Sequence, residues 1–296
     1  MKISFSTAWV NNDISRLDEV LPYIDALEVG AIGDEAFYTY LENLAARKNK
    51  PVTSIHAVSG PHKKEKNPDH SPHFTSPDRC LRESALEKIF LTARWAKKLG
   101  AKAVILHAGM IEDKTLRENF LIYKERLIQE GESDDLRKIK REIIETRKKL
   151  SRDYLETTLA GLRKLCASFP EITFCIETRL HFFEIPLPEE AHYIFEKLRV
   201  PNLGYWHDLG HTFILSKLGF VPMEEWQNRF YNRCVGLHIH DVDRNLEDHY
   251  PPGFGMLDFP EILNKFSRQS LFTIEINSKH SIDTVLKGVE YIRKMD

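Results

Sequence analysis

The sequence predicts an α/β fold in which eight parallel strands and their connecting helices close into one (β/α)8 barrel. Eight short apolar runs of β-like composition alternate with helical patterns over the whole chain of 296 residues, and such alternation is typical of a parallel sheet. Several carboxylates and imidazoles stand at the ends of these runs, where closed barrels of this kind carry their functional residues. We therefore expect a single domain covering residues 1–296.

Each strand is predicted where a short apolar run is bounded by polar or turn residues. The predicted strands are 2–7, 26–29, 52–57, 103–107, 172–177, 203–208, 234–241 and 271–276. The predicted helices are 14–21, 35–48, 79–99, a long stretch at 114–168, 188–198, 212–218 with 223–230, 260–266 and 282–294. Gly100 directly follows the third helical pattern and is a typical helix C-terminal signal.

Two segments are longer than the minimal strand–helix unit requires. Residues 59–78 contain four prolines and three histidines, and a loop of this length is typical of a functional lid or a disordered connection. Residues 111–168 form an extended helical insertion after the fourth strand. The apolar spacing there, which includes Leu136, Ile139 and Ile143, predicts a long amphipathic helix with one solvated face.

Composition argues against several classes of partner. The formal net charge is −2 and the pI about 6.7, which favours neither nucleic acid nor an anionic membrane surface. No apolar run approaches the roughly 18 residues of a membrane helix, and the N-terminal MKISFSTAWV is too polar for a signal peptide. The four cysteines show no CxxC pairing, which is typical of a reduced, cytoplasmic protein. Gly253 and Gly255 do not join a strand to a helix, so no nucleotide cofactor is expected.

Four residues at predicted strand ends form the central candidate site. Glu177, Asp208, His238 and Glu275 end or nearly end the runs ITFCIE, LGYWHD, CVGLHIHD and LFTIEI. Two glutamates, an aspartate and a histidine at one mouth form a nitrogen and oxygen ligand set for a divalent metal. Alternative explanations exist for single members, because Glu177 could be an exposed strand terminus capped by Arg179 and Asp208 could be a helix N-cap.

Alternation along the strands adds further residues to the same mouth. Arg179 shares the side of Glu177 if the strand continues, and its guanidinium could bind an anionic substrate group. His211 follows Asp208 at DxxH spacing, and His240 shares the face of His238. These side chains are predicted to contact substrate, although spacing alone does not decide whether His238 or His240 is the ligand. His207 is expected to point away, toward the helices.

An outer set of residues has two open interpretations. His56 and His107 end the third and fourth strands, and Glu247 and His249 precede PPGFG. Together with His211 they could hold one or two additional metal ions. Alternatively they could bind substrate hydroxyl groups, and we favour this second interpretation because one metal suffices for sugar chemistry.

At these residues the chain resembles the xylose isomerase-like TIM-barrel superfamily, which unites sugar isomerases and epimerases with endonuclease IV. The resemblance covers nearly the whole chain, and its most specific elements are IETR, WHDLGH, HIHD followed by DHYPPGFGMLDF, and TIEIN. It implies that the central metal ligands are Glu177, Asp208, His238 and Glu275. It also implies that His56 and His107 match the first zinc site of the endonuclease, that His211 matches the DxxH histidine, and that Glu247 and His249 match a DxH pair. Glu247 departs from the usual Asp, and Phe254 replaces the acidic residue of the common GEG loop.

Three functions follow as hypotheses. The first is a divalent-metal-dependent sugar or sugar phosphate isomerase or epimerase, in which Glu177 and Glu275 act as acid and base on an enediolate. The second is a multi-zinc hydrolase of the endonuclease IV type, acting on a phosphoester or another small molecule. The third is a non-catalytic, metal-dependent sugar-binding barrel. The metal could be Zn, Mn, Mg or Co, the expected partner is a small sugar-like molecule, and a homodimer is left open.

Overall fold

The eight predicted barrel strands are confirmed in the computed structural model, which describes residues 2–11, 13–30, 35–48, 50–57 and 74–295. The strands are β1 (Ile3–Ser6), β2 (Ala26–Val29), β3 (Val52–Ala57), β4 (Ala103–Leu106), β5 (Gly109–Met110), β6 (Thr173–Glu177), β7 (Glu184–Ile185), β8 (Leu203–Asp208), β9 (Cys234–Ile239) and β10 (Leu271–Ile274). All except β5 and β7 form a closed barrel in the order β1-β10-β9-β8-β6-β4-β3-β2. Every barrel pair is parallel, as the alternation of strands and helices predicts.

Helices connect the strands and form the outer layer. They are α1 (Ile14–Val20), α2 (Glu35–Lys48), α3 (Arg79–Leu99), α4 (Lys114–Glu130), α5 (Asp134–Ser168), α6 (Pro188–Lys197), α7 (Leu209–Lys217), α8 (Met223–Phe230), α9 (Phe259–Leu263) and α10 (Ile282–Arg293). Gly100 ends α3 in the left-handed conformation, with φ 76°, as its position predicts. In the described part of the chain, no helix has the length and apolar character needed to cross a membrane.

The helical insertion after β4 consists of two helices rather than one long one. Gly131 ends α4 with φ 76°, a backbone conformation that other residues adopt only with strain. Ser133 then caps α5, because its side chain accepts a hydrogen bond from the backbone N–H of Leu136. Residues 59–73 of the predicted loop at 59–78 lie outside the described residues.

An unpredicted pair of short strands lies beside the insertion. β5 and β7 pair antiparallel, with Gly109 opposite Ile185 and Met110 opposite Glu184. Each is only two residues long, which is too short for a periodic sequence signal. The pair follows β4 and β6 directly and therefore belongs to the C-terminal end of the barrel, where the candidate residues lie.

The barrel interior is apolar in its middle and becomes polar toward the C-terminal ends of the strands. Ala103, Ile105, Cys175 and Trp206 form a separate buried cluster inside the barrel. Gly236 makes room for Trp206, because a Cβ there would lie 2.4 Å from the indole ring. Toward the C-terminal ends of the strands the inward-facing residues become carboxylates and imidazoles, so the candidate site rests on a packed apolar floor.

Candidate metal centre

The four central residues lie together at the C-terminal ends of their strands. Glu177 and Asp208 are the last residues of β6 and β8, His238 is the penultimate residue of β9, and Glu275 directly follows β10. All four are buried. Burial of three carboxylates in one place is costly unless each is paired, hydrogen-bonded or bound to a cation.

The three carboxylates converge on one ring nitrogen of His238. Its Nδ1 atom lies 2.5 Å from Glu177 Oε1, 3.2 Å from Glu275 Oε2 and 3.6 Å from Asp208 Oδ2. The strand ends therefore bring the predicted ligand set into contact. The geometry also favours His238 over His240 as the member that faces all three carboxylates.

Glu28, which no sequence pattern predicted as a site residue, contacts the other ring nitrogen of His238. It lies on β2, fully buried, and its Oε1 atom is 3.0 Å from His238 Nε2. The Ser54 hydroxyl donates a hydrogen bond of 2.8 Å to the other carboxylate oxygen. The only sequence signal was a carboxylate placed between Leu27 and Val29 in a short apolar run.

His240 contacts Asp208 rather than the centre of the carboxylate group. Its Nδ1 atom accepts a hydrogen bond of 2.9 Å from the backbone N–H of His249. A neutral imidazole that accepts at one nitrogen carries its proton on the other. His240 Nε2 therefore donates to Asp208 Oδ1, at 2.9 Å, and orients that carboxylate. Gly210 is needed beside this ring, because a Cβ there would lie 2.1 Å from it.

Asp208 serves as a helix cap and as a member of the site. Its Oδ1 atom accepts a hydrogen bond of 2.8 Å from the backbone N–H of His211 and so caps α7. Its Oδ2 atom faces His238. The two interpretations of this residue are therefore compatible, and the cap explains why α7 begins three residues before the predicted start.

The second oxygen of Glu177 is surrounded by two histidines and an arginine. His107 Nε2 lies 2.7 Å from Glu177 Oε2 and His56 Nε2 lies 3.7 Å from it, and the two imidazole nitrogens are 3.0 Å apart. Arg179 Nη1 donates to the same oxygen at 2.7 Å. This oxygen is thus already paired with the fixed positive charge of a guanidinium.

Arg179 is held between the buried carboxylates of Glu177 and Glu184. Besides Glu177, it contacts Glu184 Oε1 through Nε at 3.1 Å and through Nη2 at 2.9 Å. Arg147 on α5 in turn donates to the backbone carbonyl of Glu184. Alternation along the strand predicted that Arg179 shares the side of Glu177, and its Nε, Nη1 and Nη2 atoms each donate to a carboxylate of the protein.

A second group of polar side chains lies beside Asp208, and it contains Asp248 in place of the predicted Glu247. His211 Nε2 lies 3.5 Å from Asp248 Oδ2, and His249 Nδ1 lies 3.2 Å from the same oxygen. The DxH pattern predicted Glu247 at this position, but the Glu247 side chain is 57% exposed and pairs with Lys279. The DxH pattern assumes an extended backbone, whereas Leu246 and His249, on either side of this segment, have φ values of 56° and 57°. The neighbouring Asp248 contacts the two histidines instead.

His207 and Asp241 make hydrogen bonds that stabilise the fold. His207 is buried among the helices, bonded to the hydroxyl of Tyr205, and burial lowers its pKa to about 3. Asp241 accepts hydrogen bonds from four backbone N–H groups of the following loop, those of Val242, Gly253, Gly255 and Leu257. The GxG segment is therefore a loop anchored by a carboxylate and shows no phosphate-binding geometry.

The charge states of the central residues reflect their crowding. Burial alone would raise the pKa of Glu177, but His107 and His238 outweigh it and hold that pKa well below its usual range. Burial alone would lower the pKa of His238, but Glu275, Glu28 and Glu177 outweigh it and raise that pKa well above its usual value. The carboxylates therefore attract positive charge to the Nδ1 atom of His238.

The donor set fits a divalent cation. His56, Glu177, His238 and Glu275 each offer a donor atom within 4.8 Å of the others, and Asp208, His211, His240 and His249 form a second such group. Asp208 Oδ2 also lies 3.6 Å from His238 Nδ1, so that Asp208 adjoins both groups. The oxygen-rich surroundings of His238 Nδ1 suit Zn, Mn, Mg or Co. In the second group, the Nε2 proton of His240 already points at Asp208, which makes His240 a hydrogen-bond donor rather than a ligand.

Comparison with known proteins identifies the family. Residues 34–295 match the family model described as xylose isomerase-like TIM barrel. The chain belongs to this family, as its strand-end residues predict. No curated protein sequence matches it.

Solved structures with the same fold include several sugar epimerases. A D-tagatose 3-epimerase-like protein matches with a TM-score of 0.69 at 20% identity, over 100% of this chain and 97% of the other. The D-psicose 3-epimerase of Clostridium cellulolyticum H10, solved with D-tagatose, matches with a TM-score of 0.66 at 14% identity, over 100% and 96%. An IolI protein with a zinc atom matches with a TM-score of 0.64 at 14% identity, over 100% and 96%. At these identities the likeness establishes the fold.

Proposed function

We propose that this protein is a divalent-metal-dependent isomerase or epimerase of a sugar or sugar phosphate. The convergence of the carboxylates of Glu177, Asp208 and Glu275 on His238 Nδ1 carries the proposal. The sugar epimerases among the structural neighbours support it. A cytoplasmic location belongs to the same proposal, because all four cysteines are unpaired thiols, which is typical of a reducing compartment.

The residues proposed to hold the metal are Glu177, Asp208, His238 and Glu275. The bound ion would supply positive charge to a substrate carbonyl and to the hydroxyl beside it, and so favour the enediolate form. His240 keeps Asp208 in place through its Nε2 proton. These nitrogen and oxygen ligands do not distinguish among Zn, Mn, Mg and Co.

Glu177 and Glu275 are the proposed acid and base, and their surroundings differ. Arg179 donates to the second oxygen of Glu177 and His107 lies against it, which favours the ionised form in which this carboxylate would act as the base. Glu275 Oε2 lies 3.5 Å from His249 Nε2, and the other nitrogen of His249 lies 3.2 Å from Asp248. The side chains of His249 and Asp248 are each 25% exposed. A proton taken up by Glu275 can therefore reach solvent through this pair.

His211 is a candidate for orienting a substrate hydroxyl. Its Nδ1–H donates to the backbone carbonyl of Thr178 at 2.9 Å, which leaves Nε2 as the nitrogen for contact with a hydroxyl group. That nitrogen lies on the side of Asp248, 3.5 Å from its carboxylate. Lys124 reaches the same loop, where its ammonium donates to the carbonyl of Leu246, and could meet an anionic group on the substrate.

Exchange of substrate protons with solvent tests the proposal. The protein, loaded separately with Zn, Mn, Mg or Co, is incubated with a panel of ketoses and ketose phosphates in D2O. Proton NMR then measures the loss of the proton signal at the carbon beside the carbonyl, which reports the incorporation of deuterium. We expect incorporation with at least one substrate, its loss in Glu275→Gln, and its retention in Glu247→Gln, a carboxylate that lies outside the site. Absence of exchange with every metal and substrate contradicts the proposal.

A multi-metal hydrolase is the second candidate, and one observation favours it. The Nε2 atoms of His56 and His107 both face Glu177 Oε2, as two ligands of a second metal would. The contact of Arg179 with the same oxygen opposes it, because a fixed cation 2.7 Å away repels an added one. Hydrolysis of phosphoesters with two or three bound ions per chain would establish this alternative.

A further inference from the structure

Glu28 lies beneath the metal centre and is bonded on both of its oxygens. Oε1 is 3.0 Å from His238 Nε2, and Oε2 accepts a hydrogen bond of 2.8 Å from the Ser54 hydroxyl. All three side chains are fully buried, and they lie on three different strands. The contact with His238 spans 210 positions of sequence, so only the closed barrel creates it.

The contact decides which nitrogen of His238 is free to bind a cation. A neutral imidazole has one N–H and one lone pair, and a carboxylate can only accept a hydrogen bond. The nitrogen that faces Glu28 must therefore carry the proton. In the neutral form that binds a cation, the lone pair is then on Nδ1, which faces Glu177 Oε1 at 2.5 Å and Glu275 Oε2 at 3.2 Å.

Ser54 holds Glu28 in the position that this contact requires. A carboxylate with one oxygen bonded to a hydroxyl cannot rotate freely, so the other oxygen stays directed at the imidazole. The opposite tautomer of His238 would place its lone pair 3.0 Å from a carboxylate oxygen. Two acceptors at that distance repel each other. The Nε2–H tautomer is therefore the one selected when a cation, rather than a proton, lies between Nδ1 and the carboxylates of Glu177, Asp208 and Glu275.

We propose that Glu28 is a positioning residue of the metal centre, which fixes the Nε2–H tautomer of His238 and presents Nδ1 to the ion. This inference rests on the metal site of the proposed function. Carboxylates that accept from the distal N–H of a metal-bound histidine typically strengthen binding by about 10–100-fold. Glu28 is expected to act within this range without touching either the ion or the substrate.

Metal affinity of three variants tests the inference. Isothermal titration with Zn(II) or Co(II) is carried out on the wild type, Glu28→Gln, Ser54→Ala and Ser4→Ala. Ser4 is the matched control, because it is also a buried serine of the barrel interior but is bonded to Thr53. We expect about 10–100-fold weaker binding in Glu28→Gln, a smaller loss in Ser54→Ala, and no change in Ser4→Ala. The visible spectrum of bound Co(II) is expected to change in Glu28→Gln alone.

Each outcome has one meaning. Equal affinity and an equal Co(II) spectrum in the wild type and Glu28→Gln overturn the inference. If Glu28→Gln does not fold, the comparison of Ser54→Ala with Ser4→Ala decides, and equal affinities again overturn it. Weaker binding in Glu28→Gln together with no sugar exchange in the wild type leaves the inference standing and refutes the proposed function. A wild type that binds no metal refutes both.

Discussion

The guanidinium of Arg179 contacts Glu177 Oε2, the oxygen that a second metal ion would need. Removing this charge is expected to lower the stability of the protein and to open a second metal site. In Arg179→Met the side chain keeps its apolar stem and loses its charge and all its donors. Glu177 and Glu184 then lose contacts of 2.7 and 2.9 Å from a guanidinium that is only 11% exposed. Because removing one partner of a buried ion pair costs about 3–5 kcal/mol, we expect the free energy of unfolding of the metal-free protein to fall by that amount.

Added metal is expected to compensate part of this loss. Without the guanidinium, Glu177 Oε2 and the Nε2 atoms of His56 and His107 form a donor set, with two nitrogens 3.0 Å apart. An ion present at 100 times its dissociation constant stabilises the folded state by about 2.7 kcal/mol. Zinc is therefore expected to restore more stability to Arg179→Met than to the wild type, and the number of bound ions is expected to rise from one to two.

Urea denaturation with and without zinc, followed by circular dichroism, measures the stability change. Plasma mass spectrometry of the dialysed protein counts the ions. Arg179→Lys is the control, since it retains a positive charge and is expected to keep one ion. A loss below about 1 kcal/mol in metal-free Arg179→Met, a value typical of exposed ion pairs, would refute the reasoning. So would two or more ions in the wild type.

Three further predictions concern the surroundings of the metal. Because the pKa of His238 is raised well above 6.5 in the metal-free protein, an ion must displace its proton. Affinity is therefore expected to fall about tenfold per pH unit below that pKa, and calorimetry in buffers of different ionisation enthalpy should detect the released proton. Gly210→Ala introduces a Cβ 2.1 Å from the His240 ring, and we expect a loss of about 1–3 kcal/mol in stability, read by thermal unfolding. Asp248→Asn is expected to lower kcat/KM for the exchanged sugar by about 10–100-fold, whereas Glu247→Gln is expected to leave it unchanged; equal values would contradict the assignment of Asp248.

The sequence predicted the barrel and the position of its strand-end residues because both depend on local periodicity. Alternation along the predicted strand 234–241 placed His238 and His240 on one face, and the run before Glu275 marked the last strand end. The same argument correctly directed His207 toward the helices. Within regular strands, side-chain direction follows from position alone.

The remaining features depend on contacts that no local pattern encodes. Glu28 meets His238 only because the barrel closes. Asp248, rather than Glu247, faces the site because the loop leaves the extended conformation at His249. Arg179 was placed on the correct face, but its partner Glu184 is brought to it by the turn after β6. In each case tertiary structure decides which of several polar residues is used.

An anomalous-scattering map of zinc-loaded crystals tests the central claim most directly. We predict one metal peak per chain, bounded by Glu177, Asp208, His238 and Glu275. Additional peaks, either between His56 and His107 or beside Asp248, would contradict the single-metal centre and favour the multi-metal hydrolase.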